Sequence, residues 1–257
     1  MDFSHALLTR PRPELDDLAA SFRREDLVVV PMPAFDFAPA GRGIEPDSDW
    51  RSARTRLVLF TSTRTVRFGL PALERGLLDD AALAAVGPAT ARALEAEGLS
   101  CLRSPEPPYD SESLLAQLKG RLEPGAALIL AAPGGRDALR RGLQAAGWKV
   151  RLEPVYERVP LEPDREQIEA LERARRVVSV WTSGNALDHL LDSLSDAAAA
   201  RVRAGAAIVV SERLASLARA RGFGDVHVAP GPGNAELVRC YRDLRGSRRG
   251  ANPGPIG

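Results

Sequence analysis

The sequence predicts an α/β protein made of two similar doubly wound domains with parallel sheets. Three observations carry that prediction. Short β-branched runs alternate with amphipathic stretches from residue 5 to residue 244. Two blocks from the middle of the chain return near its end at almost constant spacing. Two extended, proline-interrupted segments, residues 32–39 and 150–159, bracket the middle of the chain.

The elements follow in order. Residues 5–10 (HALLTR) form a strand, 13–24 a helix and 27–31 (LVVVP) a second strand. Prolines at both ends of residues 32–39 (MPAFDFAP) make that segment a connector rather than a core strand. Residues 41–54 are polar and irregular. A strand at 56–62 leads into a helix running to about residue 78. A strand at 83–87 leads into a helix at 89–97. A proline-rich loop spans 104–110, and Ser111 is placed to cap a helix over 111–122. A buried strand at 126–132 and a helix at 136–147 complete the middle. The second connector, 150–159, follows. A helix over 163–176 carries Glu and Arg at i,i+4 spacing. Residues 177–183 are a strand, and two helices lie within 184–203. A strand at 206–211, a helix at 212–221, a strand at 226–230 and a closing helix at 234–244 follow. The Gly/Pro/Arg tail from residue 245 is expected to be disordered. Strands that alternate with helices imply parallel sheets covered on both faces.

The repeat sets the domain organisation. VLFTSTRTV (residues 58–66) resembles SVWTSGNAL (residues 179–187), with Ser62 and Ser183 separated by 121 positions. AVGPATARALEAEGL (residues 85–99) resembles VVSERLASLARARGF (residues 209–223), with Gly87 and Ser211 separated by 124. The simplest layout makes residues 40–149 one domain and residues 1–31 with 160–245 the other. Segments 32–39 and 150–159 join them as a hinge, and 246–257 is a flexible tail. A cleft between two such domains is the expected ligand site.

Composition narrows the function. A formal net charge of +1 gives no footprint for nucleic acid. Two cysteines and three scattered histidines offer neither a disulfide framework nor a zinc site. No secretion signal opens the chain and no apolar run is long enough to span a bilayer, so a cytoplasmic protein without membrane contact is expected. No apolar surface stripe stands out, and a monomer is expected. Lys occurs only at Lys119 and Lys149; the abundance of Ala beside Arg points to genomic base composition. Arg nevertheless grips carboxylates well.

Ligands in open α/β folds bind beyond the carboxyl ends of the strands. Three such ends carry small hydroxyl residues before a helix: Thr61-Ser62, Thr182-Ser183 and Ser211. A fourth, Gly87, leads into a helix whose first turn holds Thr90. Unpaired N–H groups and the helix dipole make each terminus a seat for an anion, although each alone is equally an ordinary cap. Together they suggest a small-molecule ligand with dispersed negative charges. Tyr156, in the second connector, could donate a hydrogen bond to a leaving hydroxyl or simply pack. The phosphate-loop and dinucleotide fingerprints are missing, and Pro133-Gly134-Gly135-Arg136 is a strand-to-helix turn. No Ser/His/Asp arrangement is evident. No cofactor is implied.

These pieces, in this order, resemble uroporphyrinogen-III synthase. The resemblance runs from about residue 7 to residue 244. It rests on LLTRP (7–11), FTS (60–62), AVGPATARAL (85–94), GGRDAL (134–139), VYER (155–158), WTS (181–183) and VVSERLASLARARGF (209–223). It implies two flavodoxin-like domains joined by a two-stranded ladder. It implies cyclisation of hydroxymethylbilane with loss of water and inversion of the last ring, through an azafulvene cation and a spirocycle, with no cofactor. By position, Tyr156 matches a tyrosine that assists hydroxyl departure and Thr90 a threonine of the cleft wall. Ser62 and Ser183 match strand-end residues near the substrate. Arg10 matches an arginine that either binds a carboxylate or anchors its domain. The chain departs from the pattern at Ala131-Ala132, where many bacterial members have Arg-Gly, and at Leu214, where some have threonine. The resemblance then shifts carboxylate binding to Arg136 or Arg64. Two other classes remain to be distinguished: a hinged anion-binding protein without turnover, and a nucleotide-dependent enzyme on a Rossmann-like fold.

Overall fold

The computed structural model describes residues 3–41, 43–74, 76–104, 106–132 and 137–250, the side chains of 248–250 excepted. The chain divides into two compact units, one formed by residues 1–36 and 159–257 and the other by residues 37–158.

The first unit is a five-stranded parallel sheet, ordered β11-β10-β9-β1-β2. Its strands are β1 (His5–Leu8), β2 (Val28–Pro31), β9 (Val177–Trp181), β10 (Ala206–Val209) and β11 (Val226–Val228). Side chains alternate between the two faces, as the two-residue period of a strand requires. Leu7, Val177, Trp181, Ala207 and Val209 join one core. Ala6, Leu8, Val178, Val180, Ala206 and Ile208 join the other. The first core is closed by α7 (Arg165–Arg173), α8 (Gly184–Ser193), α9 (Asp196–Arg203) and α10 (Glu212–Ala220). The second is closed by α1 (Glu14–Arg23) and α11 (Asn234–Gly250). A sheet buried on both faces explains why its strands read as unbroken apolar runs.

The second unit repeats this plan with four parallel strands, ordered β5-β4-β6-β7. These are β4 (Arg56–Phe60), β5 (Ala82–Ala85), β6 (Ala126–Ala131) and β7 (Lys149–Pro154). A parallel bridge from Ala84 to Leu102 extends the sheet beyond β5. Val58, Phe60, Leu128 and Leu130 face a core shared with α3 (Thr63–Gly69) and α4 (Pro88–Ala96). Leu57, Leu59, Ala127 and Ile129 face α5 (Ser111–Leu118) and α6 (Asp137–Ala145).

The two sheets match in order as well as in kind. With β11 set aside, β10-β9-β1-β2 corresponds to β5-β4-β6-β7. The sequence repeat pairs β9 with β4 and β10 with β5, which are the same positions in the two sheets. The strands β3 (Phe35–Pro39) and β8 (Tyr156–Pro160) form a two-stranded sheet of their own.

Five expectations need correction. Segment 41–54 is not wholly irregular: Asp47 accepts a 2.8 Å bond from the Trp50 backbone N–H and starts a short helix, α2 (Ser48–Ser52). The helix after β4 does not reach residue 78. It ends at Gly69, and a 3₁₀ turn over Leu70–Ala72 carries Pro71. The cap of α5 is Asp110, which accepts from the Ser113 backbone N–H at 2.8 Å, rather than Ser111. Residues 150–159 are not a single connector, because β7 is the edge strand of the second sheet and only β8 pairs with β3. Finally, α11 continues to Gly250, past the expected end at residue 244, since Arg is a good helix former and Gly246 and Gly250 cost at most about 1 kcal/mol each. Among the described residues no helix is long and apolar enough to cross a membrane.

Candidate active site

In both sheets the strand order reverses between the two central strands, β1/β9 in the first unit and β4/β6 in the second. The crevice outside the carboxyl ends of such a pair is where open α/β sheets bind ligands.

In the first unit this end is tightly built. Thr9 is 2% exposed, and its hydroxyl donates to the Val180 carbonyl at 2.9 Å, pinning the end of β1 to β9. Trp181 donates from Nε1 to Ser179 Oγ at 2.8 Å, and Ser179 donates to the Ala206 carbonyl at 3.2 Å. Arg10 turns toward the start of α11. It donates to Asn234 Oδ1 at 2.8 Å and also to the Pro232 carbonyl. Burial lowers the pKa of its guanidinium, and the nearby Glu14 carboxylate opposes that shift. Of the two roles open to Arg10, these are the contacts of an anchor.

The hydroxyls at the strand ends divide into two kinds. Ser211 caps α10 and accepts from the Leu214 backbone N–H at 3.3 Å. Ser62 caps α3 in a capping box: its hydroxyl accepts from the Thr65 N–H, and its own N–H donates to Thr65 Oγ1 at 3.0 Å. Thr61 donates to the Leu130 carbonyl at 3.0 Å, pinning the end of β4 to β6. By contrast, half-buried Ser183 begins α8 with no capping bond from its side chain, beside half-buried Thr182. Gly87 begins α4 without a side chain at all, and a Cβ placed there would meet nothing within 4 Å. Thr90, in the first turn of α4, is 4% exposed. At the α4 and α8 termini the N-cap residue therefore satisfies no amide donor with its side chain.

Tyr156 is 7% exposed and belongs to the core of the second unit. Its ring meets Phe37 of β3 at 5.3 Å and 88°, and Phe68 of α3 at 5.6 Å and 42°. The Arg64 guanidinium stands 4.1 Å over the Phe37 ring, and Arg67 stands 5.2 Å over Phe68. Arg64 and Tyr156, two residues singled out by the sequence, are thus joined through one phenylalanine. Phe37, Phe68, Arg67 and Thr9 were not singled out. The alternation of Phe35 and Phe37 in an extended segment was the available signal for one of them. Arg136, with Gly134 and Gly135, lies outside the described residues. Among the described residues no three His, Cys, Asp or Glu side chains gather into a set that could hold a metal ion. A recess of about 750 Å³ lies between α5 and α6, at Leu115, Leu143 and Trp148. It adjoins the amino ends of the strands and carries none of the residues above.

A family model described as HEM4, uroporphyrinogen-III synthase HemD, matches residues 16–239. The chain belongs to the uroporphyrinogen-III synthase family. The uroporphyrinogen-III synthase of Salmonella typhimurium is 32% identical over 248 residues, covering 92% of this chain and 99% of the relative. That of Escherichia coli K12 is 30% identical over 246 residues, with the same coverage. The crystal structure of uroporphyrinogen-III synthetase from Helicobacter pylori 26695 superposes with a TM-score of 0.62 over 94% of this chain and all of that one, at 15% identity. At that identity the likeness shows the uroporphyrinogen-III synthase fold alone. The relatives do not favour the hinged anion-binding or Rossmann alternatives.

Proposed function

We propose that this chain is a lyase that converts hydroxymethylbilane to uroporphyrinogen III. The observation that carries the proposal is the match of nearly the whole chain to relatives of that name, at 30–32% identity. In the reaction, the terminal C–O bond of the linear tetrapyrrole breaks and the hydroxyl leaves as water. The resulting azafulvene cation is attacked by the last ring, which inverts through a spirocycle before the macrocycle closes.

Tyr156 donates the hydrogen bond that eases departure of the hydroxyl. The open amino ends of α4 and α8, at Gly87 and Ser183, receive substrate carboxylates through backbone N–H groups, with Thr90 and Thr182 beside them. Arg64 supplies a cation, and Arg136 a second. Thr61, Ser62 and Ser211 act by shaping strand and helix ends, and Arg10 by anchoring the first unit. Catalysis then rests on orienting a flexible substrate and stabilising charge, and the scheme needs no metal or nucleotide. The protein acts as a cytoplasmic monomer, which a single species of one-chain mass on size-exclusion chromatography would bear out.

The test supplies purified protein with freshly generated hydroxymethylbilane, oxidises the products and separates the porphyrin isomers. Uncatalysed closure gives the type I isomer. Dominant type III isomer, in proportion to enzyme and without added metal or nucleotide, is expected. Type I alone, at the blank rate, would overturn the proposal.

A further inference from the structure

We propose that Phe37 and Phe68 are positioning residues that fix the Tyr156 ring and so aim its hydroxyl. The inference rests on the reading of Tyr156 given above. A phenol donates usefully in a transition state only if it is held within about 0.5 Å of its productive place. A tyrosine at the first position of a strand has no such restraint from its own backbone beyond its rotamer. The restraint comes from two separate elements, β3 and α3. Phe37 reaches the ring from β3 at 5.3 Å and nearly perpendicular, and Phe68 reaches it from the last turn of α3 at 5.6 Å. Both separations lie in the range where aromatic pairs prefer tilted and edge-to-face arrangements.

The two phenylalanines are held in turn. Arg64 stands over Phe37 at 4.1 Å and Arg67 over Phe68 at 5.2 Å, both from α3. Gly69 lets the end of α3 approach closely: a Cβ there would lie 2.8 Å from Leu130 Cδ1 and 3.6 Å from Val155 Cγ1. Val155 is the residue before Tyr156, so α3 and the tyrosine backbone are packed as one body. The outcome is a continuous chain, Arg64–Phe37–Tyr156–Phe68–Arg67, in which one phenol is flanked by two rings and each ring by a guanidinium. An apolar side chain of similar volume would fill the same space but would leave the phenol free to tilt.

The experiment is a double-mutant cycle. Phe37→Leu is measured in the natural chain and again together with Tyr156→Phe, using steady-state formation of type III isomer. In the natural chain Phe37→Leu should lower kcat about tenfold with KM little changed. Combined with Tyr156→Phe it should lower kcat less than about twofold further, because no hydroxyl remains to aim. Phe37→Tyr, which keeps the ring, should restore kcat to near the natural value. Phe68→Leu should follow the same pattern and serves if Phe37→Leu fails to fold, as judged by near-UV circular dichroism. An equal fall in both backgrounds, or no fall in the natural chain, overturns the positioning role while leaving the reading of Tyr156 intact. An unchanged rate for Tyr156→Phe alone overturns the reading of Tyr156, and the positioning role with it.

Discussion

Replacing Arg10 by Met separates the two roles its motif allows. Met keeps most of the aliphatic stem and removes the charge and the donors. Two bonds disappear, the 2.8 Å bond to Asn234 Oδ1 and the one to the Pro232 carbonyl, and both acceptors then turn to water. Hydrogen bonds from a charged donor contribute about 1.5–3 kcal/mol each when well buried. Arg10 is half-buried, so solvent competes and each bond falls below that range, to about 1 kcal/mol. A loss of about 2 kcal/mol for the pair is reasonable. In a domain of this size that lowers the unfolding midpoint by roughly 6 °C. The assay is thermal unfolding followed by circular dichroism, paired with steady-state kinetics on hydroxymethylbilane. The expected result is a lower midpoint with KM changed less than about twofold. An unchanged midpoint with KM raised about tenfold would refute the anchor and give the guanidinium to a substrate carboxylate.

Further outcomes follow from single contacts. Tyr156→Phe should lower turnover substantially while thermal unfolding stays unchanged; unchanged steady-state rates would remove the phenol from the mechanism. Gly205→Ala should destabilise the first unit by at least ~2 kcal/mol, because the new Cβ would run into the Val177 carbonyl oxygen at the base of β9; an unaltered denaturation midpoint would contradict that close approach. Thr61→Val keeps the shape but removes the 3.0 Å bond to Leu130, and should cost about 1 kcal/mol in urea unfolding. Burial raises the pKa of both thiols, aided by Glu95 at Cys101 and by Asp243 at Cys240. The thiolate fraction at neutral pH is therefore below that of a free cysteine. Alkylation by iodoacetamide should be slow at pH 7 and accelerate only above the ordinary thiol range. Rapid labelling at pH 7 would contradict the buried setting.

The fold was legible because both sheets are buried on both faces. That forces a run such as LVLF to be apolar throughout and VVSVW to be apolar but for Ser179, whose hydroxyl is bonded to Trp181 and Ala206, and the helices between them to be amphipathic. What escaped the reading was local and polar. Asp47 and Asp110 start helices with one carboxylate each, and such residues are equally at home in loops. The β7 strand hid in a segment with Lys149, Arg151 and Glu153, because an edge strand needs only one apolar face. The candidate site was legible as a set of positions but not as a set of roles. Thr61, Ser62, Thr182, Ser183 and Ser211 all present a small hydroxyl at a strand end. Only the folded chain distinguishes a hydroxyl bonded to a neighbouring carbonyl, as in Thr61, from one that makes no cap, as in Ser183. The aromatic partners of Tyr156 lie about 90–120 positions away in sequence, beyond any local pattern.

The matching sheets sharpen that last distinction. Strand β9 occupies the place of β4, and β10 the place of β5. If duplication alone set the chemistry, the helices behind equivalent strands would start alike. They start in a crossed pattern. Behind β4 the Ser62 terminus is closed by a capping box, while behind β9 the Ser183 terminus has no side-chain cap. Behind β10 the Ser211 terminus is capped, while behind β5 the Gly87 terminus is bare. Among these four termini, one without a side-chain cap therefore falls in each unit, at non-equivalent strands. The four pyrrole rings of the proposed substrate carry the same two acidic side chains, and only the last ring is inverted. A strictly repeated set of anion seats offers less means of treating one ring differently. On the proposed function, two dissimilar seats on a shared scaffold would supply that asymmetry, by a change of cap rather than of fold.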